Sequence, residues 1–434
     1  MGKLATITLG AMTETTGSTA VTDALTPKQR FNRGAIAVAV ATLPAWSLSF
    51  AESGLGFLFT MITTVAVLAA LATVDGAAVA TIRRRAAAVT MYLVLGAGAL
   101  ISLLFHPSGA GAILTFAVVA PIGIVISAAR LTTDELRRIV AVPLLATTAL
   151  QAVIVAIQSG TRSAFGYNLL HPGSELLVTN ETIVRPQGLF DHVYEPAAVA
   201  VVAVAVGLAL MPAAGRMRTA FLVGIGAAAT TVALTHSRSA LLGLMLVVAV
   251  GALAVARREP GLRVGIIVVV AAFVVPALLT ANAWQVRFDE SATPNLDDAS
   301  LGRITLARQA LEMAGDHPVV GVGPNRYMTV LESQYTVDDD YPFVVHNESL
   351  MVAAELGLPA AIVFTALLVW TGVQAVRGGY RPTLLYVAPL PFFVFDVLLY
   401  NKPIGLLLFA VWCGVLAGLR LAGVPAPTPP LRRR

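Results

Sequence analysis

Long apolar runs alternate along this chain with short charged intervals, at residues 34–50, 55–74, 86–105, 112–130, 136–158, 193–213, 219–235, 239–256, 263–280, 347–371, 383–399 and 403–422. A helix needs roughly 17–25 apolar residues to cross a hydrocarbon core about 30 Å thick, so the pattern predicts about twelve transmembrane helices. Strands of a membrane barrel would alternate apolar and polar positions over segments of about ten residues, whereas these runs are uninterrupted. The expected fold class is an all-α polytopic membrane protein. Its polar intervals divide the chain into a tail at 1–33, about nine helices over 34–280, a large loop at 281–346, three last helices over 347–422 and a tail at 423–434. A second long loop interrupts the first region near 159–192. The opening tail has no apolar core ahead of a cleavage site, so it is expected to be a tail and not a signal peptide.

Composition excludes a soluble domain, because 57% of the 434 residues are hydrophobic, only 12% are charged and the mean hydropathy is +0.80. Basic residues then set the orientation. With the N-terminus in the cytoplasm, Lys28, Arg30 and Arg33 fall inside, as do Arg83 to Arg85, Arg130, Arg137 and Arg138, Arg216 and Arg218, Arg257 and Arg258, Arg377 and Arg381, and the terminal arginines. Every loop obeys the positive-inside rule in this arrangement, which predicts a multi-pass cytoplasmic membrane protein with both termini inside. The net charge of +5 is therefore a topology signal and carries no argument for nucleic acid. Cys413 is the only cysteine and forms no internal disulfide.

Polar chemistry gathers in the two long loops, both predicted to lie outside. The first holds Arg162, His171, Glu175, Glu181, Arg185, Asp191 and His192; the second holds Arg287, Arg303, Arg308, His317, Arg326, three aspartates at 338–340 and His346. All six histidines fall on the outer side. Within the second loop, Ser300 is placed to cap a helix over 301–315, with Ile304, Ala307, Leu311 and Ala314 as its apolar stripe, lying along the membrane surface. Pro318 ends that helix and residues 321–325 make a turn. Gly321 and Gly323 are no nucleotide fingerprint, since no strand precedes them and no phosphate-binding helix follows.

Arg185, Arg238 and Arg303 all stand at predicted outer membrane edges. Guanidinium groups there suit phosphate or pyrophosphate oxygens, which they grip bidentately, although any one of them could equally snorkel or pair with a carboxylate. Taken together they predict an anion site. His346 and Asn347 open the predicted helix where the long loop re-enters the membrane. Imidazole at such an edge titrates near neutral pH and suits a general base. Glu355 lies nine residues further, inside an apolar run, where a carboxylate is costly unless paired with an arginine or the histidine network. Arg326 is a further supporting candidate. No carboxylate cage is evident, and Asp297, Asp298 and the 338–340 run are expected to be solvated loop charge, so no metal is predicted.

Residues 302–304 and 316–325, His346-Asn347 followed by Gly357, residues 237–240 and residues 185–190 together resemble the O-antigen ligase and polymerase family. Ala360 stands where that family's element commonly closes with Gly, Thr or Tyr. The resemblance implies a GT-C-like, metal-independent membrane glycosyltransferase without a cofactor. Its donor would be a glycan on a polyprenyl-diphosphate carrier, and its acceptor a glycan, glycolipid or protein. By the same resemblance His346 would activate the acceptor hydroxyl, while Arg185, Arg238 and Arg303 would hold the leaving diphosphate. The rival reading is a secondary transporter, which should carry charged or broken sites near the midplane of corresponding helices. A scaffold would leave Glu355 and the arginine grouping without a reason.

Overall fold

The computed structural model describes residues 26–42, 131–166, 177–179, 183–190, 192–257, 259–292, 301–335, 344–397 and 411–416, with single positions elsewhere. Apart from single positions, the spans 55–74, 86–105 and 112–130 and most of 403–422 lie outside the described residues, as do 1–25, the tail at 423–434, His106, His171, Glu175, Glu181, Asp191, Ser300 and the aspartates at 297, 298 and 338–340. The expected tail at 1–33 is corrected, because a helix capped by Thr26 already begins at Pro27. Four described helices are long and apolar enough to cross a membrane, and five if one bent pair counts as a single span.

In chain order the helices are α1 (Pro27–Ala41), α2 (Thr133–Thr161), α3 (Tyr194–Ala209), α4 (Arg216–Thr235), α5 (Arg238–Ala256), α6 (Arg263–Leu279) and α7 (Ala281–Ala292). They continue as α8 (Leu301–Asp316), α9 (Tyr327–Gln334), α10 (Glu348–Leu356), α11 (Leu358–Arg377), α12 (Tyr380–Val387) and α13 (Leu390–Phe395). The fold is not purely helical. Within the first long loop, β1 (Leu177–Thr179) pairs antiparallel with β2 (Ile183–Arg185), with Val178 opposite Val184. Branched residues favour this ladder, and it brings Arg185 to the strand end.

The core is built around α3. Its sequence is almost entirely Ala and Val, and every residue from Glu195 to Ala209 is buried. Small side chains let α2, α4, α5 and α12 approach it closely, which is how helices gain packing energy in lipid. Thr132 caps α2, whose first turns then widen into a π-turn over Arg137–Ala141. Pro143 follows two residues later and supplies the cause, since its ring displaces the carbonyl four residues earlier. Arg137 in that turn donates to the carbonyls of Leu210 at 2.7 Å and Met211 at 3.3 Å, satisfying the C-terminal end of α3.

Three of the predicted spans are broken or shortened. The run 347–371 is two helices, α10 and α11, parted at Gly357. The run 383–399 contains α12 and α13, with Pro389 and Pro391 flanking the start of α13. The run 193–213 holds a helix of only 16 residues. After α6, the chain turns by 82° into α7. Trp284 of α7 anchors that turn: it is buried, donates its indole N–H to the Ala233 carbonyl at 3.1 Å and packs edge-on against Phe273.

The loop helix over 301–315 is present as α8, and it packs a second face inward beside the stripe expected to lie along the membrane surface. Ile304 is 62% exposed and Leu311 55%, while Leu306, Ala310, Met313 and Ala314 are buried. The reason is tertiary: α8 packs on α10, and Ala310 and Met313 join Tyr327, Leu331, Met351 and Ala354 in a separate small core. That core holds the large loop as a folded unit against α10.

Candidate functional site

Two glycine-bearing segments lock the large loop onto α10. Val322 N–H donates to the Ala354 carbonyl at 2.8 Å, Gly323 N–H to the Glu355 carbonyl at 3.0 Å, and Leu358 N–H to the Pro318 carbonyl at 2.9 Å. At Gly321, with φ +65°, a Cβ would sit 2.2 Å from the Glu355 carbonyl carbon; at Gly357, with φ +89°, it would sit 2.4 Å from the Val319 oxygen. Only glycine at both places lets the backbones cross this closely. The Glu355 side chain completes the clasp, accepting from Asn325 N–H at 2.7 Å and Tyr327 N–H at 2.9 Å. Its carboxylate thus bonds the backbone of the loop.

The clasp fixes the start of α10. Asn347 caps that helix by accepting from Leu350 N–H at 3.0 Å, and its side-chain amide donates to the Val394 carbonyl of α13 at 3.2 Å. His346 is therefore held between α10 and α13. Arg326 leads into α9 beside the clasp. On the other side, α4 ends at His236, whose left-handed φ of 51° reverses the chain, and Ser237 caps α5 by accepting from Ala240 N–H at 3.3 Å. Arg238 is consequently the first residue of α5, beside the helix end whose dipole and N–H groups favour anions. Arg238 reaches across to the Arg287 carbonyl of α7 at 3.5 Å.

These elements enclose a cavity of about 670 Å³ whose wall includes Arg185, Arg238, Arg287, Arg303, His192, His346 and Asp396. Four guanidinium groups face one carboxylate, so the wall is strongly positive. Ser237, Ser239 and Tyr194 add hydroxyls, and Leu242, Phe395 and Val397 form an apolar side. The four residues expected to act on substrate, Arg185, Arg238, Arg303 and His346, all line this one cavity. Asn347, Glu355 and Arg326 do not line it; they lie in the segments that shape it.

Burial, and then the positive charge of Arg303, push the His346 imidazole down to about 4, against a backbone hydrogen bond at Val344 that works the other way. The ring is neutral at pH 7, well below the near-neutral range expected from its sequence position. Among the described residues, no three His, Cys, Asp or Glu side chains converge as a metal site.

Residues 222–365 match the O-antigen ligase family. The match runs from α4 to α11 and takes in Arg238, Arg287, Arg303, His346 and Glu355, while Arg185 precedes it and Asp396 follows it. It bears out the resemblance read from the sequence. No curated protein matches the chain.

Against that O-antigen ligase background, two members of the cavity wall escape pattern reading. Arg287 looks like one of several loop arginines until the α6–α7 bend turns it inward. Asp396 carried a usable signal, a lone carboxylate in the apolar run 383–399, which is a functional candidate wherever it occurs in a membrane segment. It follows the end of α13, accepts a hydrogen bond from the Ser239 hydroxyl and feels the charges of Arg303, Arg185 and Arg238.

Proposed function

We propose that this protein is a membrane glycosyltransferase of the O-antigen ligase type. It transfers a glycan from a polyprenyl-diphosphate carrier to an acceptor hydroxyl on the outer face of the cytoplasmic membrane, during assembly of a cell-surface polysaccharide. The observation that carries this reading is the convergence of Arg185, Arg238, Arg287, Arg303 and His346 on one cavity, three of whose arginines and whose histidine lie in the segment that matches the family. A diphosphate leaving group accumulates negative charge as its bond to the sugar breaks. Fixed cations in a water-poor site stabilise that charge more than an acid catalyst would. The apolar side formed by Leu242 and Phe395 suits the first isoprene units of the carrier.

In the proposed step the acceptor oxygen attacks the anomeric carbon. A new carbon–oxygen bond forms there, the bond to the carrier phosphate breaks, and the diphosphate departs with the electron pair. His346 takes the proton of the acceptor hydroxyl. Its low basicity in the free site is an asset of the arrangement, because the incoming diphosphate offsets Arg303 and raises the basicity of the ring only once the donor is in place. No cofactor has a role in this step. The remaining spans complete a GT-C-like bundle of about twelve helices with both termini cytoplasmic.

The test is a strain lacking the gene. Full-length carrier-linked glycan that accumulates beside an undecorated acceptor identifies a ligase, and shortened chains identify a polymerase. Unchanged surface glycans with altered solute uptake would replace the proposal with a transporter.

A further inference from the structure

A second hollow, of about 490 Å³, lies between α2 and α4 and shares no residue with the cavity described above. Val142, Ala146 and Ala149 of α2 and Ala220 and Val223 of α4 form its sides, and all but Ala149 are exposed. Its floor is closed, because a Cβ at Gly224 would sit 2.8 Å from the Cβ of Leu145. Alanines stand where longer side chains would fill the space, which leaves a groove open to lipid. Along α4 it runs from Arg216 to Gly224, about 12 Å at a rise of about 1.5 Å per residue. That is less than half of a hydrocarbon core about 30 Å thick, so the groove suits a lipid of one leaflet and is too short for a partner helix that spans the membrane.

Arg216 closes one end of the groove as the first residue of α4. It is exposed, and its guanidinium makes no hydrogen bond or ion pair among the described residues. Arg218, by contrast, donates to the Ala213 and Gly261 carbonyls. Two cations at a helix N-terminus oppose the helix dipole, and here Gly215 supplies no capping side chain and the first turn holds no acidic residue. An anion at this end would satisfy Arg216 and meet the positive end of the dipole. Thr219, three residues on and in the same wall, adds a hydroxyl. Under the proposed topology α2 and α4 both start in the cytoplasm, so the exposed Arg138, four residues before Val142, is a further cation of the same leaflet.

We infer that the groove binds an anionic phospholipid of the cytoplasmic leaflet: one acyl chain lies between α2 and α4, and the phosphate sits against Arg216 and Thr219. The apolar walls accept any acyl chain, and the cation selects the headgroup. This site is separate from the cavity and does not depend on the reaction carried out there.

The experiment is native mass spectrometry of the delipidated full-length protein, titrated with dioleoyl phosphatidylglycerol or dioleoyl phosphatidylethanolamine, for wild type, Arg216→Gln, Arg216→Lys, Ala220→Trp and Arg377→Gln. The first phosphatidylglycerol is expected to bind wild type about fivefold more tightly than the first phosphatidylethanolamine, the preference that one basic residue gives an anionic lipid. Arg216→Gln should remove that preference, and Arg216→Lys should keep it. Ala220 is exposed in the groove, so a tryptophan there fills the space and keeps every charge; Ala220→Trp should weaken binding of both lipids. Arg377, at the end of α11, does not line the groove, and Arg377→Gln should bind as wild type does. Equal affinity of wild type for the two lipids overturns the inference, as does a preference that survives Arg216→Gln or is lost equally in Arg377→Gln. Unchanged binding in Ala220→Trp removes the groove as the site. Two other occupants give their own signals: displacement of phosphatidylglycerol by polyprenyl phosphate would make the groove a carrier site, and a disulfide-linked dimer of Val223→Cys in membranes would place a second copy there. Either result also overturns the inference.

Discussion

Gln158 grips both polar groups of Gly188, donating its amide to the glycine carbonyl at 2.8 Å and accepting from the glycine N–H at 2.8 Å. The same amide also donates to the Phe165 carbonyl at 2.9 Å, and Gln151, two turns earlier on α2, accepts from Leu189 N–H at 3.0 Å. A rigid membrane helix thereby fixes the turn that follows Arg185. Gln158→Leu would leave the buried Gly188 groups unpaired, at a cost of about 1–3 kcal/mol for each. The variant is expected to insert and to lose donor affinity more than maximal rate, because Arg185 is displaced while His346 is untouched. Steady-state kinetics at matched membrane levels checks this; an unchanged KM for the donor would show that the turn holds its shape without Gln158.

The clasp around Gly357 makes a different prediction. Gly357→Ala puts a methyl group against the Val319 carbonyl at a φ that alanine disfavours, and Glu355→Ala strips the acceptor from two backbone N–H groups. Both are expected to lower the thermal midpoint of the solubilised protein, by about 2 kcal/mol or more in stability. Activity should fall in step with the folded fraction. Glu355→Gln keeps one oxygen acceptor and should be intermediate. A Glu355→Ala protein of normal stability and no activity would return Glu355 to a direct role in the chemistry.

His346 and the arginines should separate cleanly. His346→Ala is expected to reduce transfer by about 10²–10⁴-fold and to leave pyrophosphate binding intact. Lysine keeps the charge of Arg238 or Arg303 but loses the two-pronged geometry, so each Arg→Lys variant should lose about tenfold or more in both binding and turnover. Arginine variants that match wild type in both assays would reduce these residues to membrane-edge anchors.

Much of this was readable in the sequence, and the failures have identifiable causes. Apolar run length located the four helices that the structure shows long and apolar enough to cross a membrane, because in lipid a helix must satisfy its own backbone. It could not see the break at Gly357, since residues 347–371 are apolar on both sides of a glycine whose conformation is imposed by Pro318 to Gly323, far away in the chain. The spacing of Ile304 and Leu311 suggested a stripe lying along the membrane surface; it gave no sign of the second face, Leu306, Ala310 and Met313, that packs inward towards α10. Arg185, Arg238, Arg303 and His346 stood out by residue type at membrane edges. Glu355 stood out too, by its costly burial; that it accepts from the Asn325 and Tyr327 N–H groups is set by the fold of the loop, which sequence does not mark. Arg287 and Asp396 required the bend after α6 and the end of α13 to be seen.

Acid should weaken this protein before it unfolds it. The unfolded chain takes up a proton on His236 near its ordinary value of 6.5, whereas the folded chain does so only near 4. Between those limits the unfolded state binds more protons, so stability rises with pH across the interval and is lost as pH falls from 6.5 towards 4. For so deeply buried a ring the loss is on the order of 3 kcal/mol. Thermal midpoints at pH 7.5 and 4.5 should therefore differ, and by less in His236→Asn than in wild type; identical differences in the two proteins would mean that carboxylates alone set the acid sensitivity. His346 gives the kinetic counterpart. In the free enzyme its imidazole is held near 4 by burial and Arg303, so the acid limb of kcat/KM should lie well below pH 6.5. A bound diphosphate offsets Arg303 and makes the ring more basic. The acid limb of kcat should accordingly sit at higher pH than that of kcat/KM, and in a variant whose charge at residue 303 has been removed the limb of kcat/KM should itself move to higher pH, because the cation that lowers the free ring is gone; a limb that stays in place would show that Arg303 does not act on His346.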